Sequence, residues 1–187
     1  MGDDAEVPAP RVPPVPDAEL DDESRALMET MGPLNVFLTM ANHPKLFKRW
    51  MVFGGHVLTR NTLPAREREL VILRVGWACG SDYEFGQHTI IGRREGLSDD
   101  EISRIAIAPL DEWPASDAML LRATDELVRD QCIGDATWAA LSQRWGTQQL
   151  MDLVFTVGQY VMTCMALKTF GVQREPGVPG LPGPSAS

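Results

Sequence analysis

Apolar positions along the chain recur at intervals of three and four, broken by short runs of glycine, proline and cap-forming residues. That period puts side chains on one face of a helix. Asp17 stands as an N-cap before Leu20, Leu27 and Met28, and the run stops at Gly32 and Pro33. Pro44 takes a favourable first-turn position for a helix carrying Leu46, Phe47, Trp50 and Phe53. Thr62 and Pro64 open a helix over about 65–79, with Leu70, Leu73 and Trp77 on one face. The next covers about 82–95 and stops at Gly96. Ser98 followed by Glu101 is a capping-box signature for a short helix to Ile107. Ser116 starts a helix through Leu120, Leu127 and Val128, and Asp135 starts one with Trp138 and Leu141. The last predicted helix runs over about 147–170 and ends at Gly171. No stretch sustains a period-two alternation with β-branched enrichment. The expected fold is therefore all-α, a helical bundle, with Gly80 and Ser81 making the turn of a helical hairpin.

The last helix raises a membrane question, because 150–167 is nearly continuous in apolar residues and about the length of a short span. Asp152, Gln159 and Tyr160 interrupt it, and a bilayer interior penalises the acid heavily. A helix apolar almost all round also suits the centre of a soluble domain or of an oligomer, which is the reading adopted. Composition agrees. The 187 residues fit one domain, and 44% hydrophobic content supports a real core. A net charge of −9 without a basic run argues against nucleic acid and anionic membranes as partners. An anionic small substrate stays open, since it needs only one or two placed arginines. Cys79, Cys132 and Cys164 are odd in number, far apart in sequence and form no C-x-x-C pair. That pattern fits a reducing compartment, and no signal peptide is visible, so the expected location is cytoplasmic. The proline-rich segment 1–16 and the segment 176–187 read as disordered or draped tails around a single domain over 17–175.

Candidate chemistry concentrates in PARERELVILRVGWACGSDYEFGQHTIIGRREG, residues 64–96. Ser81, Glu84 and His88 are spaced three and four apart, on one face at a helix start. A carboxylate one turn before an imidazole favours the imidazolium and fixes the ring, as a general acid or base requires. Glu69, on the preceding helix, faces His88 if the hairpin packs antiparallel. The plainer alternatives are a surface ion pair for His88 and Glu84, a solvated charge for Glu69, and a small buried hydrophobe for Cys79. Arg74 pairs with a nearby acid, and Gln159 with Tyr160 forms a buried polar pair, on the same plain reading. Glu69, Glu84 and His88 are also ligand types of a non-haem iron or manganese centre, but no second histidine has matching spacing, so no metal is expected.

The order of Glu69, the turn and YEFGQH ending at His88 resembles the carboxymuconolactone decarboxylase family, which includes alkyl hydroperoxidase D-like proteins. LPAREREL before it, and WAAL with QQLMDLVFTVGQYVMTCMALKTFGV after it, extend the resemblance over about 33–173. The peroxidase branch carries Glu, then C-x-x-C, then His four residues later. Aligned on His88, the two thiol positions hold Ser81 and Glu84 here, and the Glu position falls on Glu69. Disulfide peroxide chemistry needs an attacking thiolate and a resolving thiol, and serine and glutamate supply neither. Lys168 stands where the late pattern often has Asn. The resemblance implies a homo-oligomer, commonly a trimer or trimer-based hexamer, and a decarboxylase branch working without metal or cofactor. His88 is then the expected proton donor or acceptor, with Glu84 or Glu69 tuning it. Arg74 is the expected anchor for a substrate carboxylate, with Ser81, Gln159 and Tyr160 in the substrate pocket. The leading expectation is acid–base decarboxylation, or a related lyase or isomerase reaction, on a small organic acid, lactone or ring compound. The alternatives are a peroxidase using an unpaired Cys79, and a non-catalytic binding or assembly member.

Overall fold

The N-terminal helix begins later than its sequence suggests. Asp17 opens only a single 3-10 turn over Asp17–Glu19, and Asp21 is the cap, its carboxylate accepting from Ser24 N at 2.7 Å. The computed structural model describes residues 9–182, in which nine α-helices and no strand occur. They are α1 Asp22–Met31, α2 Asn35–Met40, α3 Pro44–Thr59, α4 Ala65–Ala78, α5 Asp82–Arg94, α6 Asp99–Ile107, α7 Ala115–Asp130, α8 Asp135–Leu141 and α9 Thr147–Phe170. The short α2 has no capping side chain and no long apolar period, which is why the pattern misses it. His43 caps α3 through its ring nitrogen, and the Ser98–Glu101 box caps α6 as its spacing predicts. Thr62 caps nothing: its backbone N–H and hydroxyl both donate to Asp152 on α9 at 2.7 Å. Gly171 takes the left-handed conformation that ends α9, with its N–H on Leu167 O.

α4 is the axis of the fold. Leu70, Val71, Ile72 and Leu73 are four consecutive residues with no exposed surface. Val71, Ile72 and Val75 pack with Leu120 and Ala123 of α7 and Leu153, Val157 and Cys164 of α9. Leu70 and Leu73 pack instead with Phe85 of α5, Ile102 and Ile105 of α6, and Trp113. A third cluster joins Leu20, Met28 of α1, Phe37 of α2 and Phe47 of α3. Three clusters meeting around one hairpin and one long helix make an all-α bundle built on α4, α5 and α9.

α9 is the one helix among the described residues long and apolar enough to cross a membrane, and half of its apolar window is buried in the bundle. Asp152, at its start, is held by Thr62 and by His56 at 3.2 Å. This arrangement is compatible with a soluble protein. Outside the helices, Arg11 N and Val12 N donate to Phe170 O, and Leu181 N donates to Asp82 Oδ1 at 2.7 Å. The expectations for 1–8 and 183–187 lie outside the described residues.

Candidate active site

Gly80 has φ +58, a conformation open to glycine at little cost, and it folds α5 back along α4. Gly76 of α4 lets the hairpin close tightly, since a Cβ there would meet the Phe85 backbone at 3.2 Å. The antiparallel packing sets Glu69 of α4 opposite His88 of α5, with Oε2 2.6 Å from Nδ1. The other ring nitrogen, Nε2, lies 3.0 Å from Glu84 Oε1 one turn earlier on α5. Arg68 Nε donates to the second Glu69 oxygen at 3.1 Å. All four side chains are buried, Glu69 completely. The result is a chain of alternating basic and acidic groups, Arg68–Glu69–His88–Glu84, sealed in the bundle.

Burial opposes charge on these groups, and the neighbours decide the balance. Burial alone works against the His88 cation. The Glu69 charge and hydrogen bond, joined by those of Glu84, outweigh it and raise the His88 pKa to about 10. Burial also works against ionised Glu69, but His88 and then Arg68 outweigh it and hold the carboxyl below the ordinary glutamate value. At neutral pH the ring is therefore an imidazolium with both N–H groups directed at carboxylates. Tyr160 stacks edge-on against it, with ring centroids 4.9 Å apart. Burial, and then the nearby Glu84 and Glu69, push the Tyr160 hydroxyl well above the usual tyrosine range, so it stays a donor.

His88 and Glu84 form part of the wall of a cavity of about 110 Å³. The rest is mostly apolar, from Leu34, Phe37, Trp50 and Met51, with Gln87, Gln159 and Tyr160 as further polar members. Gln159 Oε1 is buried there without a hydrogen-bond partner. Val36, Trp50 and Thr163 also wall a second cavity of about 340 Å³, whose lining includes Arg49. His88 leaves no nitrogen free for a metal, and among the described residues no group of three His, Cys, Asp or Glu side chains is arranged to hold one.

Structure thus brings together Glu69, Glu84, His88, Gln159 and Tyr160, and both glutamates partner the histidine. Two expected residues fall elsewhere. Arg74 is no carboxylate anchor in this cavity: it points to α7, where Nε and Nη2 grip the Asp125 carboxylate at 2.7 and 2.8 Å and Nη1 donates to Ile105 O. Ser81 does not line the cavity; it is buried at the start of α5, its hydroxyl unpartnered. Cys79 sits half-buried at the C-terminus of α4, also outside the cavity. The sequence reading missed Arg68, although a base beside a buried acid in the run ARERE is a usable signal. It also missed Glu175, which accepts from Tyr83, Gln87 and Asn35 N and ties the C-terminal segment to α5 and α2. No motif marks that residue.

Residues 44–125 match the model of the carboxymuconolactone decarboxylase family. No curated protein matches the chain in sequence. Among solved structures, the chain is similar to an alkylhydroperoxidase AhpD core, an uncharacterized peroxidase-related protein from Ralstonia eutropha JMP134. That match has TM-score 0.80 at 20% identity over 90% of this chain and 94% of the other. A putative antioxidant defence protein AhpD from Agrobacterium tumefaciens superposes with TM-score 0.66 at 19% identity, over 73% of this chain and 94% of that one. A variant of the debrominase Bmp8 in complex with 2,3,4-tribromopyrrole gives TM-score 0.73 at 13% identity, over 88% and 91%. At these identities the likeness is one of fold.

Proposed function

We propose, from the match of residues 44–125 to the carboxymuconolactone decarboxylase family model, that the chain is a cofactor-independent acid–base enzyme acting on a small lactone acid or related ring acid, with decarboxylation as the reaction. The observation that carries this reading is the buried imidazolium between two carboxylates on the wall of an apolar cavity. Decarboxylation breaks the bond between the ring carbon and the carboxylate and leaves the electron pair in a conjugated enolate. An apolar wall disfavours the localised carboxylate relative to the spread charge of that enolate. The His88–Glu84 pair delivers the proton that quenches the carbanion, and Glu69 with Arg68 holds the ring in place behind it. The Tyr160 hydroxyl and the Gln159 amide supply polar contacts to the enolate or lactone oxygens. Arg49, on the wall of the adjoining cavity, takes the anchoring role first expected of Arg74.

The volume sets the substrate size. A cavity of about 150 Å³ holds a benzene ring, so 110 Å³ is too small for a ring acid unless Trp50 moves to join the two cavities. The oligomer expected from the resemblance remains part of the proposal, with the exposed apolar stripe of α9, including Phe155 and Met165, as its contact surface.

The test is carbon dioxide release from a panel of γ-lactone acids and enolisable ring acids. His88→Gln and Glu84→Gln lower kcat by about 10²-fold or more while helical content is kept. Arg49→Ala raises KM, and Arg74→Ala leaves KM unchanged. Turnover that survives both His88→Gln and Glu84→Gln, or a panel giving neither turnover nor a thermal shift, removes the proposal.

A further inference from the structure

The larger of the two adjoining cavities, about 340 Å³ against about 110 Å³ at His88, lends only Arg49 to the acid–base chemistry. It lies between α2, α3 and the second half of α9. Its walls are almost wholly apolar, with Met40 of α2, Leu46 and Phe53 of α3, and Met162 and Leu167 of α9 among them. Leu46 and Met162 stand half-exposed, whereas Leu167 is 3% exposed, so the walls run from the surface into the bundle. Thr39, Thr163 and Arg49 are the polar members. The Thr163 hydroxyl is satisfied, donating to Gln159 O at 2.9 Å. Thr39 is as buried as Leu167, yet its hydroxyl has no hydrogen-bond partner among the described residues. Arg49 is the one charged residue of the lining and is exposed, and its guanidinium meets no carboxylate among the described residues. Lys48, its neighbour in sequence, is by contrast paired with Glu23 at 2.5 Å.

We propose that this cavity binds an aliphatic carboxylic acid of about eight to ten carbons, its carboxylate held by Arg49 at the mouth and its chain laid inward toward Leu167. Size sets the length of the chain. A cavity of about 150 Å³ takes benzene, and 340 Å³ takes roughly twice as many carbons. Charge sets the head group. A guanidinium grips a carboxylate through two parallel hydrogen bonds, and Arg49 has no acid of its own to give up first. An unpaired cation beside apolar walls selects an amphipathic anion over a neutral or cationic ligand of the same shape. Exposure of Arg49 keeps the head hydrated, so only the chain has to leave water, and leaving water is what drives it in. The Thr39 hydroxyl offers the ligand one further polar contact. The proposal deepens the reading of the His88 site, since it rests on the same Arg49 anchor and gives the anchored acid an apolar body.

The test reads binding without turnover, so its failure is distinct from that of the carbon dioxide assay. Octanoate, butanoate and 1-octanol are titrated into the full-length chain by calorimetry. The expected result is one octanoate per chain, with butanoate weaker by about 10²-fold, since each methylene that enters an apolar cavity tightens binding about fourfold. Arg49→Ala weakens octanoate about tenfold and leaves 1-octanol unchanged, and Arg49→Lys restores part of the loss. Ala166→Trp, which sets an indole into the cavity, removes both ligands while circular dichroism shows the helices intact. His88→Gln binds octanoate as the parent chain does. Should Ala166→Trp fail to fold, the Arg49 pair and the chain-length series decide. No octanoate binding, or octanoate binding that Arg49→Ala leaves unchanged, overturns the proposal. So does binding that disappears as chains associate at higher concentration, which would give this face to a second copy.

Discussion

α4 and α9 lie side by side in the core and invert the usual relation between polarity and burial. α4 buries Glu67, Arg68 and Glu69 in succession, whereas α9 exposes Met151, Val154, Phe155, Met162 and Met165. The difference lies in partners. Each α4 charge has one within the chain: Glu67 accepts from Trp145 Nε1 at 2.9 Å and Arg144 at 3.1 Å, Arg68 meets Glu69, and Glu69 meets His88. Buried charge is retained where it is paired and hydrogen-bonded. On α9 the exposed Phe155 meets Phe53 of α3 edge-on at 6.0 Å, and the rest of the stripe also stays at the surface. Buried charge in α4 thus marks a site, and exposed apolar surface in α9 marks a face.

The contrast breaks most sharply at Glu69. Glu69→Ala leaves His88 and Arg68 buried without their counter-charge and lowers folding stability by about 3–5 kcal/mol, read by urea denaturation at neutral pH. The pH dependence is the next largest effect. The folded His88 pKa, about 10, lies above its unfolded value of 6.5, so this stabilisation is fully present below pH 6.5 and is lost as pH rises through 10. Stability falls by about 1.4 kcal/mol per pH unit in that window, and His88→Gln removes the slope. Glu67→Ala strands the Trp145 indole N–H inside the core, at a cost of about 1–3 kcal/mol. Smallest is α9: Phe155→Lys with Met165→Glu changes the stability of the single chain by less than about 0.5 kcal/mol. The same pair lowers self-association measured by sedimentation velocity. A stability loss as large as that of Glu69→Ala would make α9 a core helix on all sides and dissolve the contrast.

Most of the fold was legible because long helices advertise themselves by period and cap, as α6 does with its box and α9 with Gly171. The short α2 has neither, and Asp17 lost the capping role to Asp21 because a 3-10 turn intervenes. In the site, the spacing of Glu84 and His88 showed a shared face, and the hairpin made Glu69 a candidate. Arg74 misled, since a sequence shows that a guanidinium exists but not that Asp125 on α7 already holds it.

The central claim is that His88 is a buried imidazolium held between Glu69 and Glu84. Nitrogen NMR of the histidine-labelled chain tests it most directly. The account predicts that both His88 ring nitrogens carry protons at neutral pH and titrate near pH 10. A neutral ring with one bare nitrogen, titrating near the ordinary value of 6.5, would contradict it.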